Sequence, residues 1–377
     1  MKGKQGMVCM GLLLVLSSCH TGKQITASGL QRKDFQTEVN GQHTDLFTLS
    51  NKQGMEVCIT NYGARVVSIL VPDRNGKRKD VVCGFSTITE YMEQRQNFGS
   101  TVGRYIGRIL NARFTLDGVE YKLVPNNGKS GHISHGGNPG FADRIWKVEQ
   151  ADTHRVCLSY LSPDGENGFP GNLKVTLVYS LGEDDNALDL TYEATTDAPT
   201  VLNLSHHSFF NISGNFTKSV EDQQLWVDAD RFTPYDDKKC VTGEYLPVAG
   251  TPLDFRMPHA IGECIDADHP QLKVVNGYDH TWELNTKGDD TRPAAWVYDP
   301  ASGRKMEIFT TEPGMQIYTG NGLKGKMTGK RGIAYPFRSA VCFETMHFQD
   351  SPNQPGFPST VLRPGEVFRS HTVYKFE

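Results

Sequence analysis

Apolar and polar residues in this chain mostly trade places at every second position, in short runs. Such runs fall at 46–49, 55–60, 66–71, 155–160, 173–180, 187–194 and 305–310. A two-residue period turns alternate side chains to opposite faces, so each run predicts a strand with at least one covered side. Asp73-Arg74-Asn75-Gly76 and Asp117-Gly118 have the composition of hairpin turns. Past residue 35 no long stretch keeps a 3.6-residue period, and only a short helix over 86–94 is predicted. The pattern therefore predicts an all-β fold with one domain over 35–377, a large antiparallel β-sandwich of two packed sheets.

The segment from Thr200 to Asn211 shows the alternation with chemistry attached. Read as a strand, Leu202, Leu204 and His206 share one face, and Asn203, Ser205 and His207 the other. The first face has a core to rest on. The second offers amide, hydroxyl and imidazole, which suit a polar ligand as well as solvent.

Composition agrees: 38 Gly, 19 Pro and 14 Tyr favour turns and strands. A net charge of -4 leaves no electrostatic footprint for nucleic acid, and a monomer is expected. The N-terminus breaks the pattern. Lys2 and Lys4 precede an apolar run over 7–16 that is too short to span a bilayer. It runs into Leu16-Ser17-Ser18-Cys19, which resembles the lipobox of bacterial lipoproteins. That resemblance implies a signal peptide over 1–18, a lipid on Cys19 and a polar tether over 19–34. The chain would then be exported and membrane-anchored, facing the periplasm or the cell surface; an ordinary cleaved secretory peptide is the competing reading. Cys58, Cys83, Cys157, Cys240, Cys264 and Cys342 are scattered without CxxC spacing, which predicts mostly buried thiols rather than a zinc cluster. Disulfide pairing stays open.

Several segments carry candidate chemistry. Arg104 and Arg108 lie four apart, each beside a glycine, and a guanidinium fork suits hydroxyl or carboxylate oxygens. His132 and His135 precede Gly136-Gly137, with no carboxylate or thiol at metal-ligand spacing. Asp279 sits beside His280, and Gln316 and Tyr318 share a strand face after a Pro-Gly turn. Glu344 follows the apolar run over 340–343; if it faced a pocket, burial would raise its pKa and make it a useful base. Each has a bland counterpart: a solvated Arg, an exposed loop His, a strand-end Glu. No GxSxG elbow occurs, so a serine hydrolase is not expected.

In their order along the chain these segments resemble the aldose 1-epimerase (galactose mutarotase) family. The resemblance rests on Gly103-Arg104 through Arg108-Ile109, on 114–123, and on His135-Gly136-Gly137 with Gly140-Phe141 and Trp146. It continues through 203–211, 277–280, Gln316 with 318–321, 343–345, 353–355 and 362–366. It implies a large antiparallel sandwich with a sugar in a groove on one face. It also implies His207 as general acid, Glu344 as general base, and Arg108, His135, Asp279 and Gln316 lining the sugar site, with a small-molecule aldose as substrate and no metal or cofactor. Three departures stand out. Gly107 replaces the Asn of many members, His206 the usual Asn before the catalytic His, and Ile133-Ser134 a common Ser-Leu.

Two side chains are enough for that chemistry. Opening a cyclic hemiacetal removes the C1 hydroxyl proton and protonates the ring oxygen; rotation about C1–C2 and reclosure give the other anomer. From reference pKa values of about 4.3 and 6.5, Glu344 is expected ionised and His207 raised by the neighbouring carboxylate. Three other readings compete: a non-catalytic glycan-binding lipoprotein, an epimerase for a phosphorylated sugar, and a lyase or glycosidase on the same sandwich.

Overall fold

A computed structural model describes residues 25–377. The proposed signal peptide over 1–18, Cys19 and the first part of the tether lie outside the described residues. Three large antiparallel sheets, of nine, six and four strands, carry the domain. Leu173–Leu181, Ala187–Thr196 and Phe368–Phe376 form the middle of the nine-stranded sheet. Leu173–Leu181 explains why: Leu173, Val175, Leu177, Tyr179 and Leu181 are buried, while the residues between them reach solvent.

The six-stranded sheet contains Asp279–Glu283, Gly314–Tyr318 and Val341–Met346 as neighbours. The four-stranded sheet, from Leu46–Ser50 to Arg78–Asp80, runs on into it. Cys83 N–H donates to the Phe209 carbonyl, and Asn211 N–H to the Val81 carbonyl. This joined layer faces the nine-stranded sheet across one core. Leu177, Leu190 and Ile308 from one side meet Ile69, Ile317 and Phe343 from the other. The sandwich read from the alternation is present. The seven predicted runs are strands, and the helix is Ile88–Gln94, capped by Thr87 and Glu90. A second helix, Pro270–Val275, has no sequence period long enough to reveal it.

Residues 25–34, expected to be part of a polar tether, are packed instead. Ala27 and Ser28 donate their backbone N–H groups to the Glu56 carboxylate, Arg32 pairs with Asp45, and Leu30 and Phe35 are buried. Residues 25–34 therefore dock on the sandwich, because Leu30 and Phe35 find apolar partners that a polar-looking segment hides. Among the cysteines, Cys58, Cys83 and Cys342 are buried as expected, but Cys157, Cys240 and Cys264 are partly exposed; all six are free thiols.

Candidate active site

Strand parity builds one wall of the site. Thr281, Gln316 and Glu344 are direct partners across three neighbouring strands, and Asp279, Tyr318 and Cys342 form the next row on the same face. Trp282, Ile317 and Phe343 point the other way, into the core. The apolar half of each strand fixes the register, so its polar half converges on one place. Gln316 Nε2 donates to Asp279 Oδ1 at 2.6 Å, and Gln316 Oε1 accepts from Thr281 Oγ1 at 2.5 Å.

His207 arrives from a different element. Ser205–His207 pairs with Ser100–Val102 and lies against Val341–Met346. Leu202 and Leu204 enter the core, as the alternation requires, while Asn203 binds the backbone of His347. His207 Nε2 then stands 3.4 Å from Glu344 Oε1, and both side chains are buried. The imidazole stacks on Phe209 with centroids 5.0 Å apart and meets the His135 ring edge-on at 5.6 Å.

More of the lining comes from a two-stranded ribbon, in which Arg108–Ile109 pairs antiparallel with Ile133–Ser134, and from the turn that follows it at His135. Gly136 has φ +78°, and a Cβ there would lie 1.9 Å from the Gly103 carbonyl oxygen. The turn after His135 can therefore close only on glycine, which gives the His-Gly-Gly signal its physical meaning. Arg108 donates from Nη1 to the Lys239 carbonyl at 3.3 Å and lies over the Tyr235 ring. Arg104, its partner in the sequence pattern, is buried instead. It donates to the carbonyls of Ser162, Pro163, Pro170 and Gly171, and burial lowers it to about 10. It ties loops together.

Burial sets the charge state. It pushes the Glu344 carboxyl well above the usual carboxylate range, with Asp279 adding to the rise. Burial, with His135 next in size, pushes His207 well below the ordinary imidazole value. His135 falls to about 4 through burial and the nearby Arg108, and burial raises Asp279 against the pull of Arg108. The expected raising of His207 by its carboxylate neighbour is thus overturned. Removing two ions from water costs more than their attraction returns, so the pair favours its neutral form.

Arg108, His135, His207, Asp279, Gln316 and Glu344 all line one cleft of about 250 Å³. Sequence reading missed Gln349 and Phe209, which share that lining. Gln349 sits in an irregular loop with no pattern to flag it; Phe209 reads as an ordinary core aromatic. Two histidines singled out earlier fall elsewhere. His132 Nδ1 accepts from Asn111 N–H and its Nε2 meets Cys240 Sγ, while His206 Nε2 bonds Ser208 Oγ at 2.6 Å within the core. Donor atoms of His207, Cys342 and Glu344 lie within 4.8 Å of one another and could hold a thiophilic ion. Burial holds the Cys342 thiol well above its usual value, which opposes the thiolate such an ion needs.

A sandwich groove holding a buried imidazole–carboxyl pair, flanked by a guanidinium, an amide and a second carboxylate, defines an acid–base enzyme for a polyhydroxylated ligand. The chain belongs to the aldose 1-epimerase family, whose family model matches residues 45–375. It is 39% identical over 330 residues to galactose mutarotase of Sus scrofa, covering 88% of this chain and 93% of that one. Against aldose 1-epimerase of Escherichia coli (strain K12) it is 36% identical over 340 residues, covering 89% and 96%. Among solved structures, an aldose epimerase homologue from C. elegans superposes with a TM-score of 0.81 at 31% identity, covering 89% of this chain and 99% of that one. A galactose 1-epimerase from Lactobacillus acidophilus gives 0.79 at 28%, covering 90% and 96%. The chain is accordingly an isomerase that interconverts sugar anomers.

Proposed function

We propose that the cleft binds an aldohexopyranose, galactose or glucose, and that His207 and Glu344 share the single proton its ring opening needs. The observation that carries this reading is their 3.4 Å approach at the base of a polar cleft. Glu344 takes the proton from the C1 hydroxyl as the C1–O5 bond breaks and C1 becomes a carbonyl. His207 gives a proton to O5. Rotation about C1–C2 and the reverse transfers close the other anomer. A sugar hydroxyl donating to Glu344 stabilises its carboxylate and moves the shared proton to His207, which readies the pair only when substrate is present. Arg108, His135, Asp279 and Gln316 hold the remaining hydroxyls.

Polarimetry on freshly dissolved α-galactose and α-glucose tests this. The expected result is a faster approach to the equilibrium rotation, abolished in His207→Gln and Glu344→Gln. Unchanged rates in either variant would overturn the assignment. The Leu16-Ser17-Ser18-Cys19 segment further supports export and lipid anchoring, and the chain is read as a monomer. Labelled palmitate should enter the chain and be lost in Cys19→Ala, and light scattering of the detergent-solubilised chain should report one copy.

A further inference from the structure

We propose that Gln349 is a substrate-binding residue, and that its amide occupies the place of a side chain at position 107 and reads one sugar hydroxyl near Arg108. The proposal rests on the sugar-binding reading of this cleft.

Gly107 has φ +76°, and a Cβ built there would lie 2.6 Å from Gln349 Cγ and 3.1 Å from Gln349 Cδ. The space that a residue-107 side chain would take is therefore filled from the loop after the Glu344 strand. Gln349 is buried yet lines the cleft, so its amide is a polar group kept at the ligand surface.

Its orientation is fixed from both ends. Arg108 N–H, which can only donate, points at Gln349 Oε1 from 3.3 Å. At the other end the Asp279 carboxylate takes the Gln316 Nε2, which turns Gln316 Oε1 towards Gln349 Nε2 at 3.3 Å. Gln349 Nε2 gives its second hydrogen to Tyr235 Oη at 2.6 Å. Both amide hydrogens are then committed, while the carbonyl oxygen has two lone pairs and, among the described residues, one protein donor. The lone pair left over is an acceptor for a sugar hydroxyl. A site built around such an acceptor discriminates against a sugar lacking the matching hydroxyl, because the oxygen is then left unpaired.

The test compares the full chain with Gln349→Leu on galactose, glucose and the monodeoxy sugars of each. KM should rise about tenfold for the parent sugars. kcat should stay within about threefold, with both limbs of the pH profile unmoved. For one deoxy sugar, the one lacking the hydroxyl that Gln349 reads, the penalty should vanish. An equal penalty on every sugar, or none at all, would overturn the proposal and reduce Gln349 to a brace for Gln316. Gly107→Asn, alone and with Gln349→Ala, gives a second route. The single variant should crowd Gln349 and weaken binding, and the double should recover KM to within about threefold by returning an amide from position 107. A double variant no better than Gly107→Asn refutes the exchange of places. If the wild-type chain accelerates no mutarotation, the acid–base reading falls. Calorimetric binding of the same sugars then decides whether Gln349→Leu still loses one hydroxyl's discrimination.

Discussion

Gln316 and Glu344 stand directly opposite each other on adjacent strands, so the carboxyl proposed to exchange the proton and the amide proposed to order the sugar site share one register. The Gln316 amide is committed on both sides, to Asp279 and to Thr281. Gln316→Leu would keep the volume and strip both bonds. It should raise KM about tenfold or more and cost about 1–3 kcal/mol of stability, since Thr281 and Asp279 lose a buried partner. Steady-state polarimetry and urea unfolding measure the two effects. Unchanged KM with lowered stability would show a purely structural amide.

Glu344→Gln separates chemistry from folding. The substitution retains shape and removes the proton acceptor, so kcat should fall by about 10²–10⁴. Burial already opposes ionisation here. The melting temperature should therefore hold or rise, as when strain kept for activity is relieved. A parallel loss of fold and rate would mean the carboxyl is structural.

On the proposed mechanism activity needs one proton on the pair, so the rate should follow a bell in pH. The acid limb marks addition of a second proton, and burial of His207 places it below the ordinary imidazole value. The alkaline limb marks loss of the last one, and burial of Glu344 places it above the ordinary carboxylate value. These limbs belong to the coupled pair rather than to either residue. Stopped-flow polarimetry from pH 4 to 10 would show them; a flat profile contradicts the shared proton.

The strands were legible because each rests on a local rule, whereas the six cleft residues were brought to one site by the family resemblance. Alternation reports parity, and parity alone puts Gln316 and Glu344 on the polar face once Ile317 and Phe343 are buried. The protonation state was not legible. Only the resemblance brings a carboxylate and an imidazole together in the cleft, and it says nothing of how dry their meeting place is. Gln349 escaped for a related reason, since its role depends on a glycine at position 107 that is remote in the chain. The structural role of Arg104 could not be read, because the backbone carbonyls it binds leave no mark in the sequence.

The docked N-terminal segment should matter for stability. Removing residues 1–24 leaves Leu30, Phe35 and the Glu56 cap in place, whereas removal through residue 35 exposes their sites. The longer truncation, or Leu30→Ala alone, should cost about 2–5 kcal/mol. Thermal melts of both truncations report it. Equal melting temperatures would make 25–34 a passive tether after all.

Acid should unfold this protein through histidines that have no room for charge. Burial lowers His206 and His280 to about 3, and burial with Arg108 lowers His135 to about 4. The unfolded chain binds these protons near its ordinary value of about 6.5. Between those limits it holds more protons than the native state, so stability rises with pH across that window and is lost as pH falls through it. His371 works in the opposite sense: Asp189 and Asp290 raise it to about 9, so its contribution is full below about 6.5 and is lost as pH climbs from there through about 9. Urea midpoints between pH 4 and 10 should therefore decline at both ends. His371→Gln should flatten only the alkaline side, while His206→Asn should soften only the acid side. A mutant that moved the wrong limb would break the link between burial and stability drawn here.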